Sequence, residues 1–185
     1  MIKYLLAGSL FLISLVSSAQ ITKDTTTAVK DTVKAVPAPV LKKLAYQINI
    51  PAKWKIKEGC IETDCSLLSQ ADTLSATFDK FTENINIVYQ PLPSKNYTVE
   101  QYVEYSRKYL PSVVKGFKVH EKKKIKPNAW MMVYSGEKSG YFQTWRQYYY
   151  VKNAKVYIVT FAAETPKYEY FLPFVTESLN SFKLL

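Results

Sequence analysis

Residues 118–163 read KVHEKKKIKPNAWMMVYSGEKSGYFQTWRQYYYVKNAKVYIVTFAA, and this stretch decides the fold. It contains four runs with the pattern of strands, the first rich in lysine and the others in aromatic and apolar residues, and turn-forming residues separate them. The runs cover residues 118–125, 129–135, 141–152 and 155–163. Because joints this short connect only antiparallel neighbours, the stretch predicts a four-stranded antiparallel meander.

Further strands are predicted upstream of the meander. Residues 46–50 alternate apolar and polar side chains until Pro51, which predicts a strand with one buried face. Trp54 follows after a turn, and we expect its indole to cap the core. Residues 74–78 and 84–89 also alternate, at a spacing that suits a hairpin.

Two helices are predicted, one before the meander and one after it. Residues 98–110 carry an apolar stripe at helical spacing, and Thr98 and Gln101 stand at the spacing of a capping box. Thr165 and Pro166 resemble an N-cap followed by proline at the first helical position. A second stripe follows from residue 168 to residue 179, and we expect Pro173 to kink or restart that helix.

The order of these elements defines the fold class. Strands come first, then a helix, four strands and a final helix. Helices segregated onto an antiparallel sheet indicate an α+β fold, with a meander-rich sheet of about six to seven strands. A hydrophobic content of 48% supplies enough apolar area for one such domain.

The first 19 residues have the pattern of a secretory signal peptide. A charged start leads into an apolar run from residue 4 to residue 16, and small residues follow before Gln20. The run is short for a membrane span, so a retained anchor is the lesser alternative. We therefore expect an exported protein, periplasmic or secreted, without a transmembrane segment after cleavage. Gln20 also offers no thiol for a lipid anchor.

A low-complexity segment precedes the folded domain. Residues 20–44 lack aromatic residues and contain Pro37 and Pro39, which predicts a flexible linker; a helix over residues 27–36 is the alternative. The domains are then a signal peptide (1–19), a linker (20–44) and an α+β domain (45–185).

The chain resembles the PsbP-like superfamily, which includes PsbP, DcrB and a Ran-binding import factor. The resemblance rests on the lead from Tyr46 to Trp54, the helix opened by Thr98, the closing hairpin around Tyr157 and the terminal Ser181-Phe182. It covers about residues 45–185. It implies an α/β/α sandwich, with an antiparallel sheet between helices. Members of the superfamily mostly bind other proteins.

The residues indicate no catalytic or cofactor site. His120 is the one histidine, and it lies in a lysine-rich strand, where a side chain at the strand surface is the simpler interpretation. The acidic segment 58–79 contains carboxylates but no calcium-loop spacing, so we favour a solvated loop over a cation site. No glycine-rich phosphate loop is present, and we expect no cofactor, no metal and no enzymatic activity.

Cys60 and Cys65 are the two cysteines of the chain. In an oxidising compartment, an isolated pair four residues apart more often forms a bridge than stays reduced. We therefore predict a Cys60–Cys65 disulfide.

Two surfaces are candidates for binding. The lysine triad, defined as Lys122, Lys124 and Lys126, either guards an edge strand against pairing or attracts an anionic surface. Alternation also places three aromatic residues of one strand on one face together with Gln143 and Gln147, where they form either core or an exposed shelf for a ligand. These residues are Tyr141, Trp145 and Tyr149.

The formal net charge of +10 comes mainly from lysine, and only Arg107 and Arg146 are arginine. Because nucleic-acid recognition relies on arginine, and because export is expected, we expect no nucleic-acid partner. The favoured function is a non-enzymatic interaction or envelope-associated accessory module, whose partner is another envelope or secreted protein. The alternative is a protein that binds a small ligand, a glycan or an anionic lipid surface, through an aromatic pocket or the lysine triad.

Overall fold

The structure is a computed structural model that describes residues 38–60, 63–68 and 81–185. The predicted signal peptide, most of the predicted linker and the predicted strand at 74–78 lie outside the described residues. The described part contains ten strands and two α-helices.

The strands are β1 (Val40–Lys42), β2 (Tyr46–Asn49), β3 (Lys55–Cys60), β4 (Thr63–Leu68), β5 (Asn84–Pro91), β6 (Lys115–Lys126), β7 (Ala129–Lys138), β8 (Tyr141–Lys152), β9 (Lys155–Glu164) and β10 (Lys183–Leu184). The α-helices are α1 (Val99–Tyr109) and α2 (Tyr168–Ser181). Short 3₁₀ turns cover Leu110–Ser112 and Thr165–Lys167.

The main sheet has seven strands in the order β3-β4-β5-β9-β8-β7-β6. Every pairing in it is antiparallel, and the four strands from β6 to β9 are neighbours in sequence and in space. The predicted meander is therefore confirmed, and it places β6 at one edge of the sheet. A second sheet of three strands has the order β1-β2-β10.

Hydrophobic residues fill both faces of the main sheet. Along β7, Met131 belongs to a core cluster that includes Val175 of α2, whereas Met132 belongs to a cluster that includes Val103 of α1. Successive residues of a strand point to opposite faces, so the two clusters lie on opposite sides of the sheet. The sheet therefore lies between the helices, and the predicted α/β/α sandwich is confirmed.

The start of α1 follows its sequence pattern. The Thr98 side chain accepts a hydrogen bond from the Gln101 backbone N–H at 3.1 Å, and the Gln101 side chain accepts from the Thr98 N–H at 2.8 Å. This reciprocal pair is the predicted capping box. The capping box fixes the start of α1, which packs on β7 and β8.

The predicted linker extends too far toward the C-terminus. Residues 40–42 form β1, in which the buried Leu41 pairs with Ile48. The Ile50 N–H also donates to the Pro39 carbonyl at 2.7 Å. The folded part therefore begins before residue 45. Three residues are too few to show a period, so the apolar Leu41 alone did not reveal the strand.

The start of the second helix also differs from its prediction. Residues 165–167 form a 3₁₀ turn, and α2 begins at Tyr168 without a side-chain cap. The Thr165 hydroxyl contacts the Thr144 hydroxyl at 3.1 Å instead of capping the helix. α2 continues through Pro173. Tertiary packing of Val175 and Leu179 against the sheet outweighs the local cost of the proline.

Candidate functional site

The predicted aromatic shelf is mainly core. Trp145 and Tyr149 are 6% and 1% exposed, under α1. The Trp145 ring stacks on Tyr134, with 5.0 Å between centroids. Burial raises the pKa of Tyr149 well above its usual value. Tyr141 is only partly exposed, with its ring centroid 5.4 Å from that of Phe81. The core interpretation was therefore correct, and the exposed-shelf alternative is wrong for Trp145 and Tyr149.

The structure keeps Lys122 and Lys124 on one side of β6 but separates Lys126 from them. Lys122 pairs with the Glu104 carboxylate of α1, and its ammonium lies 5.7 Å from the centre of the Trp130 ring. A register irregularity then separates Lys124 from Lys126 and interrupts the alternation along β6. Lys124 lines a cleft beside the start of α1, whereas Lys126 lines a cavity near Phe182.

Glu104 links α1 to the edge strand. It accepts hydrogen bonds from Lys122 and from Arg107, the latter at 2.9 Å. These bonds, Lys122 first, lower the pKa of the Glu104 carboxyl. One positive charge of the triad is thus already matched within the protein.

Cys60 and Cys65 lie on the two strands of the β3–β4 hairpin. Its register pairs Cys60 with Thr63 and Glu58 with Cys65. The two cysteines are therefore two positions away from direct opposition. The Cys60–Cys65 disulfide stays a prediction.

A groove with polar side chains on its floor lies between α1 and the middle of the sheet. α1 packs on β7 and β8, whereas β9 and β5 are the next strands in the sheet order. Two cavities, of about 440 Å³ and about 310 Å³, adjoin here, and both are lined by Tyr109, Leu110 and Gln147. We call this space the amide groove. Its floor comprises Asn86, Gln90, Gln147 and Thr160, and its wall comprises Tyr105 and Tyr109.

The floor of the amide groove contains a row of polar side chains across three strands. Asn86 of β5 pairs with Thr160 of β9, which pairs with Gln147 of β8. The Gln147 amide N–H donates to the Thr160 hydroxyl at 3.1 Å, and the Tyr149 hydroxyl donates to the Gln147 carbonyl at 2.5 Å. These bonds hold the Gln147 amide in one orientation.

The floor retains hydrogen-bonding capacity for a ligand. An amide has two N–H donors and a carbonyl acceptor, and a threonine hydroxyl both donates and accepts. The Asn86 amide gives one N–H to the Asn84 carbonyl at 3.1 Å. Its carbonyl, the second N–H of Gln147 and the Thr160 proton can still serve a bound molecule.

Two tyrosines of α1 form the wall. Tyr105 and Tyr109 are one helical turn apart, and their rings are nearly parallel, with an 8° interplanar angle and 6.1 Å between centroids. They are 54% and 52% exposed. Because an aromatic face is apolar and a phenol edge is polar, the wall suits a ligand that is itself amphipathic.

The sequence contained a partial signal for this groove. The Asn-Ile-Asn-Ile pattern at residues 84–87 sends its isoleucines to the core on the α2 side, so the asparagines face the side of α1. Gln147 was assigned to the face of Trp145 and Tyr149. The register that joins Asn86, Thr160 and Gln147 depends on contacts between strands distant in sequence, so the row itself was missed.

Outside the amide groove, the described residues offer few candidate catalytic or metal-binding side chains. His120 contacts the Ser135 hydroxyl at 2.7 Å at the surface of the β6–β7 pair. Within the described ranges, His, Cys, Asp and Glu do not assemble in groups of three or more that could hold a metal ion. Neither described α-helix is long and apolar enough to cross a membrane.

Comparison with known proteins identifies the class of fold. No protein-family model matches the sequence, and no curated protein matches it significantly. Among solved structures, cyanobacterial PsbP (CyanoP) from Synechocystis sp. PCC 6803 superposes with a TM-score of 0.53 at 11% identity. That alignment covers 80% of this chain and 92% of CyanoP. The chain therefore has the PsbP-like fold, as its sequence pattern predicted.

Two further structures share this fold. LpqN of Mycobacterium tuberculosis, described as involved in cell envelope biogenesis, gives a TM-score of 0.57 at 12% identity, over 82% of this chain and 87% of LpqN. PA94 of Pseudomonas aeruginosa, a protein of unknown function, gives 0.54 at 16% identity, over 73% of this chain and 88% of PA94. At these identities the similarity defines the fold.

Proposed function

We propose that the protein is an exported, non-enzymatic PsbP-like module that binds another component of the cell envelope through the amide groove. The observation that carries this proposal is the row formed by Asn86, Thr160 and Gln147 on a sheet face that is otherwise part of a hydrophobic core. The signal-peptide pattern and the envelope role described for LpqN support the location.

The groove differs from an ordinary solvated sheet face in two ways. First, α1 stands beside the polar row, so the surface is concave rather than flat. Second, the Gln147 amide is held by Thr160 and Tyr149 before any ligand arrives. Oriented groups lose less conformational entropy on binding, so such an arrangement favours recognition.

A carrier for an apolar ligand fits this site less well. Such a carrier needs a concave and mainly apolar cavity, because buried amides without partners cost free energy. The groove floor between α1 and β5 instead presents amides and a hydroxyl. The geometry thus favours a module that recognises a polar partner.

Co-sedimentation tests the proposal. The full chain is incubated with the envelope fraction of its source cells, and bound protein is measured after centrifugation. We expect wild type to bind and the double variant Tyr105→Ala/Tyr109→Ala to lose most binding. Tyr170→Ala is the matched control, since Tyr170 is 67% exposed on α2, which packs on the opposite face.

Circular dichroism should show that all variants remain folded, because the substituted rings are exposed. Absence of wild-type binding would overturn the proposal. Equal binding by wild type and the double variant would exclude the amide groove as the binding site.

A further inference from the structure

We infer that the component bound by the amide groove is an uncharged saccharide, an inference that rests on the proposed function. The floor offers amide and hydroxyl groups that both donate and accept hydrogen bonds, as Asn86, Gln147 and Thr160 do. Sugar hydroxyls also both donate and accept. The chemistry of the floor therefore matches a ligand with many neutral hydroxyl groups.

The wall of the amide groove supplies aromatic rings on which a sugar can pack. A sugar ring has polar edges and an apolar face of C–H groups, so it packs on an aromatic ring while its hydroxyls reach amides. Tyr105 and Tyr109 offer two nearly parallel rings, 6.1 Å apart, beside the floor. Gln90 lines the same cavity as Tyr105, and Gln147 lines both cavities.

The charge of the lining argues for a neutral ligand. Among the described residues that line the two cavities, only Lys138 is charged, and it is exposed at the end of β7. A phosphate or carboxylate group deep in the groove would meet amides rather than cations. An acidic polymer would bind more favourably to a basic surface elsewhere on the protein, which has 25 lysine and arginine residues.

Peptides and lipids fit the groove less well. A peptide that adds a strand needs an exposed sheet edge, whereas β5, β9 and β8 are interior strands paired on both sides. An acyl chain would offer no partner to the Asn86 carbonyl or to the second N–H of Gln147, and burying these groups unpaired costs binding free energy.

A glycan array of neutral and acidic glycans, followed by isothermal titration of the best neutral oligosaccharide, tests this inference with the full chain. We expect binding to neutral glycans. Tyr105→Ala and Gln90→Ala should each weaken the affinity about tenfold, because each removes a contact with the ligand. Tyr170→Ala should leave the affinity unchanged.

The envelope co-sedimentation separates the two proposals. Binding that survives protease treatment of the envelope but is lost after glycosidase treatment supports the saccharide. The saccharide inference is overturned if envelope binding depends on the groove but no neutral glycan is bound, or if protease treatment abolishes envelope binding. Either result leaves the proposed function intact. Preference for acidic glycans also overturns the saccharide inference. If the envelope is not bound at all, the proposed function itself fails.

Discussion

Raising the pH above the ordinary range of tyrosine should destabilise this protein through its buried phenols. Burial, followed by the nearby Tyr105, raises the pKa of Tyr102 from 10.0 to about 12. The folded state thus holds the Tyr102 proton more tightly than the unfolded chain does. This contribution to stability is fully present below about pH 10 and is lost as the pH rises through about 12.

The expected loss can be worked out from the pKa difference. At about pH 11, the unfolded chain has largely released the Tyr102 proton and the folded protein has not, which lowers the free energy of unfolding by roughly 1 kcal/mol. Burial raises the pKa of Tyr134, Tyr149 and Tyr150 as well. These phenols act in the same direction, so the alkaline destabilisation of wild type should exceed the contribution of Tyr102 alone.

Urea denaturation followed by far-ultraviolet circular dichroism measures this effect at about pH 8 and about pH 11. Tyr102→Phe should shrink the alkaline loss by roughly 1 kcal/mol, because phenylalanine carries no titrating proton. Tyr170→Phe is the control, since Tyr170 is 67% exposed. If Tyr102→Phe and wild type lose the same free energy, the argument from the buried phenol is refuted.

Four further outcomes can be checked. Trp54 is partly buried, and its ring is roughly perpendicular to that of Phe171. Trp54→Ala should therefore lower the free energy of unfolding by about 2 to 3 kcal/mol, less than the loss of a fully buried indole would. An unchanged melting temperature would contradict this packing. Thr98→Ala should lower the free energy of unfolding by about 1 kcal/mol through loss of the capping box, and urea titration would show no change if the cap is dispensable. Mass spectrometry of unreduced protein should find the Cys60 and Cys65 peptides linked; free thiols in exported material would reject the bridge. Because Lys126 is separated from the rest of the lysine triad and Lys122 is paired with Glu104, wild type should not co-sediment with anionic liposomes near physiological salt. Salt-sensitive binding that is abolished by charge reversal of the triad would instead support the anionic-surface hypothesis.

Local patterns in the sequence were sufficient for most elements of the fold. The alternation and short joints of residues 118–163 predicted the strands β6 to β9, because a period of two and a tight turn are properties of neighbouring residues. The capping box at Thr98 and Gln101 predicted the start of α1 for the same reason. Elements whose signal is weak or overridden were misjudged, as with β1 and the uncapped start of α2. The solvated loop predicted for residues 58–79 is also wrong at its start, because β3 and β4 pair there as a hairpin that has no clear alternation in sequence.

The candidate site depended on tertiary structure. Alternation could group Gln147 with Trp145 and Tyr149, but only packing under α1 decided that the two aromatic residues are core. The polar row arises because strand register brings Asn86 beside Thr160, 74 positions later, and Thr160 beside Gln147. Composition and periodicity therefore determined a lysine-rich α+β domain, whereas its groove is a product of long-range strand pairing, which no local period encodes.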